Sequence, residues 1–509
     1  MEFPICLLMR QRSNLFKWAD ASIRNMRQRV LELLSQRGAL VEPDAADLIC
    51  QQPNPLQFIE SHLLASSDGS PMIITVGQIE NIIRSQELMK IGDLNIITKT
   101  SLTSATKKSQ SIESIKVTKD ITGNSTCCGD IGSFVKLFQN RFKIAKKMLL
   151  RRRELIGAIS LAKAKRSDGE VRVIGMVTDV RTTKKGHKLI EIEDDEDISL
   201  VLALKDSPPF SDFVVNDEVI GVVGKMAKRG EMIVAEEIVR PDVPIGGRLE
   251  KNDSDAWAVF AGDVHVGSDT FLEKQWNSFI EWLKTADDAK NVKYLIMPGD
   301  LVDGIGIYPD QEDELLIDDI YRQYEMFAEY LKEVRDDIAI IASPGNHDAV
   351  RLAEPQPALP ETFTKFFDSN VKMVGNPAQM EIEGRNILLY HGRSFDDWLA
   401  AVPGLAYERP LEVMKEMLRR RHLAPIYGER TAIAPEEKDY LIIDDVPDIF
   451  VTGHVHHAGM GDYRGVVMIN ASTWQGQTSF QRMHNHMPDP CKAFMVHLGN
   501  GKARVIKFT

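Results

Sequence analysis

Thiol chemistry is nearly absent from this chain. Its five cysteines (Cys6, Cys50, Cys127, Cys128 and Cys491) form no C-x-x-C pair and no ladder of spacings. That excludes a disulfide scaffold and a cysteine zinc cluster, and fits a reducing cytoplasm. Long apolar runs are missing too: none approaches the roughly 18 residues a membrane-spanning helix needs, so no membrane partner is expected. "FPICLLM" near the start is short and lacks a small-residue cleavage site, which argues against a signal peptide; Met26 is read as an alternative start. Excess positive charge is also lacking. A formal net charge of −12 excludes a protein that grips nucleic acid with its whole surface, and leaves open only a local basic patch.

What remains is ordinary globular composition, 43% hydrophobic and 27% charged over 509 residues, enough for two to four domains. Asn14 to Arg37 carries Ile23, Met26, Val30, Leu33 and Leu34 at helical spacing, with Gly38 as a stop, and opens a small helical domain expected over 1–96. "TKTSLTSATKKSQSIESIKVTKDITGNSTCCGD" then has no aromatic residue and little to bury, so 97–130 reads as a flexible linker.

The next unit, 131–250, begins with a basic amphipathic helix. Phe134, Leu137, Phe138, Phe142, Ala145 and Met148 share one face, with Arg141, Lys143, Lys147 and Arg151 to Arg153 elsewhere. Docking through the apolar face with a solvated charged side is the commoner use of such a pattern; direct phosphate contact is the alternative. From Glu170 to about Val243 the period changes to two, in "VRVIGMVTDV", "HKLIEIED", "ISLVLAL", "DEVIGVVGKM" and "EMIVAEEIV". Five short strands predict a small closed barrel of OB-fold type. Such barrels bind single strands through stacking aromatics. These strands hold almost none, which favours a structural barrel used for protein contacts.

From 251 to the end, apolar strands alternate with helical stretches, as in a layered α/β domain. Five strands finish in polar residues of one kind. "WAVFAGDVH" ends in Asp263 and His265, and "VKYLIMPGD" in Asp300, with Asp303 following. "IAIIASPGNHD" ends in Asn346, His347 and Asp348, "RNILLYHG" in His391, and "DIFVTGHVH" in His454 and His456. Ligands in layered α/β folds bind beyond the carboxyl ends of the strands, so these clusters should converge. One such cluster would mean little, since a lone histidine is more often a hydrogen-bonded core residue; five point to a metal site. Two carboxylates, four imidazoles and an amide, with no thiolate, suit Mn²⁺, Fe or Zn²⁺ in five- or six-coordinate geometry. Seven donors are too many for one ion with an open position, so two ions roughly 3.5–4 Å apart are expected, bridged by a carboxylate.

D-x-H, GD-x-x-D, GNHD, a strand-end His and GH-x-H, in this order, resemble the calcineurin-like metallophosphoesterases. "GDLVDGIGIYPDQEDE", "YHGRSFDDW" and "INASTWQGQTSFQ" further resemble the small subunits of archaeal D-family DNA polymerases, strongly from Trp257 onward. The resemblance implies two packed sheets flanked by helices. It implies that Asp263, His265 and His456 hold one ion, that Asn346, His391 and His454 hold the other, and that Asp300 bridges. His347 would be the general acid, oriented by Asp303, while Asp348 has no direct metal role. The implied activity is a 3′–5′ exonuclease that removes misincorporated nucleotides, with Mn²⁺ as activating metal. The implied partners are a large catalytic polymerase subunit, DNA 3′ ends, and a sliding clamp reached through the complex. A largely structural subunit with residual nuclease activity and a stand-alone nucleotide phosphodiesterase are the alternatives. Trp474 and Phe480 in "WQGQTSF" are read as core more readily than as stacking platforms.

Overall fold

A computed structural model of the chain describes residues 114–509 apart from 228–231 and 247–250, together with Leu40–Val41, Ile49, Ile59, Ile73–Ile74 and Ile112. The helix expected over 14–37 lies outside the described residues. Within 1–96, Leu40–Val41 pairs in parallel with Ile73–Ile74, so that region is not helical throughout. No helix among the described residues is long and apolar enough to cross a membrane.

Two six-stranded mixed sheets pack face to face. The first runs Val371–Met373, Ala339–Ala342, Val292–Met297, Trp257–Phe260, Lys492–His497, Ala503–Lys507, with its first four strands parallel. The second runs Ala458–Tyr463, Val466–Ala471, Ile449–Thr452, Arg385–Leu389, Ala378–Ile382, Lys116–Lys119. Strands covered on both faces read as continuous apolar runs, and Trp257–Phe260 shows why. Ala258 and Phe260 meet Leu389, Val451 and Ile469 between the sheets, whereas Trp257 and Val259 join Trp276, Phe279 and Trp474 under the outer helices. On the far side, Phe395–Ala401 and Pro410–Arg420 cover the second sheet through Trp398, Met414 and Met417.

The Lys116–Lys119 strand corrects the expectation of a linker reaching 130. It adds antiparallel to Ala378–Ile382, where an open sheet edge offers hydrogen bonds that composition alone does not reveal.

A closed barrel of five strands precedes this layered body, in the order 170–182, 188–193, 198–203, 232–239, 219–226. Val171, Val173, Ile190, Ile192, Val201, Ile220, Val222 and Ile233 fill it, and Leu161 and Ala164 join the same cluster.

The basic helix, Ile131–Leu149, starts at Asp130, whose side chain accepts from Ser133 N. It docks as expected: Phe142, Ala145 and Leu149 pack with Ile174, Met176 and Val219 of the barrel and with Ile442 of the layered body. Lys143, Lys147, Arg151 and Arg153 are exposed, but Arg141 departs from the solvated reading. It is fully buried, with Nε 2.7 Å from Asp439 Oδ2. A buried arginine persists only with such a partner.

Asp439 also accepts from His422 Nε2 at 2.9 Å, while Ala424 N donates to His422 Nδ1 at 3.1 Å. The neutral ring is therefore satisfied at both nitrogens, and a second proton would displace the Ala424 bond. Burial and the neighbouring Arg141 push the His422 pKa from 6.5 down to about 4. As pH falls from 6.5 to 4, the unfolded chain takes up a proton that the folded chain refuses, so stability is lost across that window, by up to about 3 kcal/mol. Carbon-13 NMR of labelled histidine should show a ring titrating near pH 4 that is absent in His422→Gln, and that variant should lose less thermal stability over the same range. Titration of His422 near 6.5 would contradict this.

Candidate metal centre

The five polar strand ends meet at one edge of the two sheets. Asp263 follows Trp257–Phe260, Asp300 follows Val292–Met297, Asn346 follows Ala339–Ala342, His391 follows Arg385–Leu389, and His454 follows Ile449–Thr452. Five of these loop residues hold left-handed backbone: Asp263, His265, Asp300, His454 and His456, with φ between 47° and 71°. Asp and His tolerate that region better than most residues, yet each instance is strained, and such strain gathers at functional sites. Two glycines let the loops close. A Cβ on Gly345 would lie 2.2 Å from Asp300 Oδ1, and one on Gly453 would lie 2.2 Å from Asp263 Oδ2.

The donor atoms converge in overlapping groups. Asp263, His265, Asp300 and His456 have ligand atoms within 4.8 Å of one another, and so do Asp300, His391 and His454. Asn346 Oδ1 stands 3.0 Å from His391 Nε2 and so joins the second group. Asp300 belongs to both.

The hydrogen-bond pattern aims ring nitrogens and carboxylate oxygens at one another. His265 Nδ1 lies 3.0 Å from the Asp303 carboxylate and His391 Nδ1 lies 2.9 Å from the Pro298 carbonyl. Both acceptors lack protons, so each Nδ1 carries the hydrogen and, in the neutral ring, each Nε2 presents a lone pair. His265 Nε2 then meets His456 Nε2 at 3.0 Å, and His391 Nε2 meets Asn346 Oδ1 at 3.0 Å and Asp300 Oδ2 at 3.3 Å. Asp263 Oδ2 is buried with no hydrogen-bond partner. An orphaned carboxylate oxygen buried among imidazoles and a second carboxylate is relieved by a cation, so the donor set fits divalent metal ions.

The titration tendencies show how closely charges crowd at this point. Burial, opposed by His391 but reinforced by Asp300, pushes Asp263 well above the usual carboxylate range. Burial acts the same way on Asp300, yet the imidazoles of His391, His347 and His265 outweigh it and hold that carboxylate low. His391 is raised to about 9 against its burial by Asp300 and Asp263. Burial lowers His454 and His456.

His347 stands outside the two groups that share Asp300, in a third group with His265 and Asp303; it is partly exposed, with Nδ1 2.7 Å from the backbone carbonyl of Asp303. This alters the expected orientation by the Asp303 side chain. That carboxylate is taken by His265 Nδ1, Gln311 Nε2 and Gln475 Nε2, so the backbone oxygen serves His347 instead. Asp348 now has a definite task. Its carboxylate accepts from Gly345 N at 2.8 Å, Leu301 N at 3.2 Å and the Tyr324 hydroxyl at 2.8 Å, tying the Asn346 loop to the Asp300 loop. Burial and Asp300 push its pKa up to about 6.

Comparison with known proteins places the chain. A family model for the B subunits of DNA polymerases alpha and epsilon matches residues 258–460. The DNA polymerase II small subunit of Archaeoglobus fulgidus is 43% identical over 89% of this chain and 92% of its own length. The chain belongs to the family of archaeal DNA polymerase II small subunits. The Halobacterium salinarum small subunit is 35% identical over 94% of this chain and 99% of its own. Among solved structures, an archaeal phosphodiesterase covers 49% of this chain and 99% of its own at 13% identity, with a TM-score of 0.26, too low to bear on the argument.

Sequence reasoning missed the residues that hold the ligands of this small-subunit centre in place. Asp396 Oδ2 lies 3.7 Å from His454 Nε2 and is itself fixed by the Tyr407 hydroxyl at 2.7 Å. Gln481 Nε2 lies 2.8 Å from His456 Nδ1. Asp396 follows His391 in "YHGRSFDDW" and could have been suspected from a carboxylate so near a strand-end histidine; Gln481 carries no such signal.

Proposed function

We propose that this small subunit is a metal-dependent 3′–5′ exonuclease that removes nucleotides from unpaired DNA ends for a large catalytic subunit, in the cytoplasm and with Mn²⁺ as its metal. The observation that carries the reading is the pair of ligand groups sharing Asp300, with a histidine held just outside them. Asp263, His265, Asp300 and His456 would hold one ion, and Asp300, Asn346, His391 and His454 the other. Divalent ions bound there supply a nucleophilic water near neutral pH and neutralise phosphate oxygens.

The chain's own groups do the rest. Asn346 offers an oxygen without adding negative charge where a phosphate must approach. Asp303, through His265 Nδ1, and Asp396, beside His454, keep the imidazoles in their orientations. His347 donates from Nδ1 to the Asp303 carbonyl, leaving Nε2 to carry the mobile proton. As the P–O3′ bond breaks, that proton passes to the departing O3′, while water's oxygen joins phosphorus and its proton is lost to solvent, from which His347 is reprotonated. The products are a strand shortened by one nucleotide and a nucleoside 5′-monophosphate.

With Mn²⁺, the purified chain should shorten 3′-labelled single-stranded DNA, and an intact substrate would refute the reading. His347→Gln should lower kcat at least about a hundredfold, with KM and metal content unchanged, and should lose the alkaline limb of the pH profile. Wild-type turnover in that variant would remove His347 from the reaction. The net charge of −12 makes weak DNA binding by the isolated chain the expected behaviour, with the large subunit strengthening it.

A further inference from the structure

At the mouth of this centre the chemistry turns from polar to aromatic. The Tyr308 ring lies 6.5 Å from that of His347, with planes 62° apart. Phe480 lies 5.6 Å from Tyr308, inclined by 34°, and His484 lies 4.3 Å from Phe480. Trp474, the other aromatic of "WQGQTSF", is fully buried as expected of a core residue, but Phe480 keeps 44% of its surface exposed. Both rings are firmly mounted. Phe480 sits on Ser479–Met483, which begins with a capping box between Thr478 and Gln481, and Gln481 also reaches His456. The Tyr308 loop is tied down through Gln311, which accepts from Ile307 N and donates to Asp303.

We propose that Tyr308 and Phe480 form a stacking platform for the nucleobase of the penultimate nucleotide, the one whose O3′ leaves. The inference rests on the nuclease reading above and adds the basis of its substrate preference. Aromatic rings hold bases by their faces without regard to sequence. The ring beside His347 is on the leaving side, because His347 delivers the proton to O3′. Arg482, exposed on the same short helix, adds a positive charge suited to the adjoining backbone. A paired end keeps its base faces covered within the duplex, so the platform engages only a strand end that has frayed, which is how a mismatch would be selected.

The test compares 3′-labelled single strands carrying either a base or an abasic sugar at the penultimate position. Wild type should favour the base by about 5- to 100-fold in kcat/KM. That ratio should collapse toward one in Phe480→Ala and recover in Phe480→Trp. Phe480 is nearly half exposed, so neither substitution threatens the fold. A ratio that survives in Phe480→Ala, or a preference that follows the terminal base instead, overturns the proposal. Binding of a strand with 2-aminopurine at the penultimate position reads stacking without turnover. Its fluorescence should be quenched by His347→Gln protein and restored when Phe480→Ala is added; equal quenching in both also overturns the platform. A chain that degrades neither strand refutes the nuclease reading, while the fluorescence still decides the platform.

Discussion

Asp300→Asn should abolish both metal sites and lower nuclease activity about a thousandfold or more, with the fold intact. Asp300 is the one residue common to the two ligand groups, and its carboxylate is the negative charge the neighbouring imidazoles stabilise. Asparagine preserves shape, tolerates the left-handed backbone at φ 47°, and can still accept the 2.9 Å bond from His347 N. What it removes is charge, and with it the ability to serve two cations at once. Asp263→Asn makes the contrast, because Asp263 lies in only one group. Metal analysis should show two ions per chain in wild type, about one in Asp263→Asn and none held tightly in Asp300→Asn. Two ions retained in Asp300→Asn would remove it from the bridging position. Loss of helicity or thermal stability would show instead that the carboxylate is structural.

Parts of this molecule were plain in the chain, and the difference from the rest is physical. Each barrel strand falls within two residues of its alternating run, because alternation follows directly from one buried face. The strand-end clusters were legible because polar residues ending apolar runs have few structural uses. Hidden features depend on partners chosen by tertiary packing. Arg141 lies on the charged side of its helix, and nothing local shows that Asp439, 298 residues away, covers it. Lys116–Lys119 has a linker's composition and becomes a strand only because Ala378–Ile382 leaves an edge open. Asp303 does stand near His347, but its carboxylate turns to His265 while its backbone oxygen meets His347, a division that packing decides and residue type does not. Trp474 and Phe480 are six residues apart in one motif and have opposite fates. Chain position relative to the helix start at Thr478 sends one inward and leaves the other at the mouth of the centre.

Glu218→Ala should loosen the seam between the barrel and the layered body more than any surface change. Glu218 is buried and holds two arginines, with Oε2 3.0 Å from Arg240 Nε of the barrel and 3.0 Å from Arg420 Nε of the layered body. Oε1 accepts from Val215 N at 2.9 Å. Asp212 shares the load through Arg240 and through Arg419 Nη2 at 3.1 Å. Removing the carboxylate leaves Arg240 with Asp212 and Arg420 with Glu416 as their remaining carboxylate partners, and the thinner compensation of buried charge costs up to about 3–5 kcal/mol. An exposed pair such as Arg322–Glu325 should by comparison be nearly silent. The penalty belongs to the seam, so it should appear in hydrogen exchange at Val219–Met226 and Met232–Val239, faster by roughly a hundredfold to a few thousandfold. Protection at Val292–Met297, inside the layered body, should change little. Because Arg420 also lies over Trp398, 5.1 Å from the ring, the emission of that indole should shift with the same substitution. Uniform loss of protection across both bodies would mean that the two unfold as one unit. Unchanged protection at the barrel would mean that Asp212 and Glu416 suffice to compensate Arg240 and Arg420.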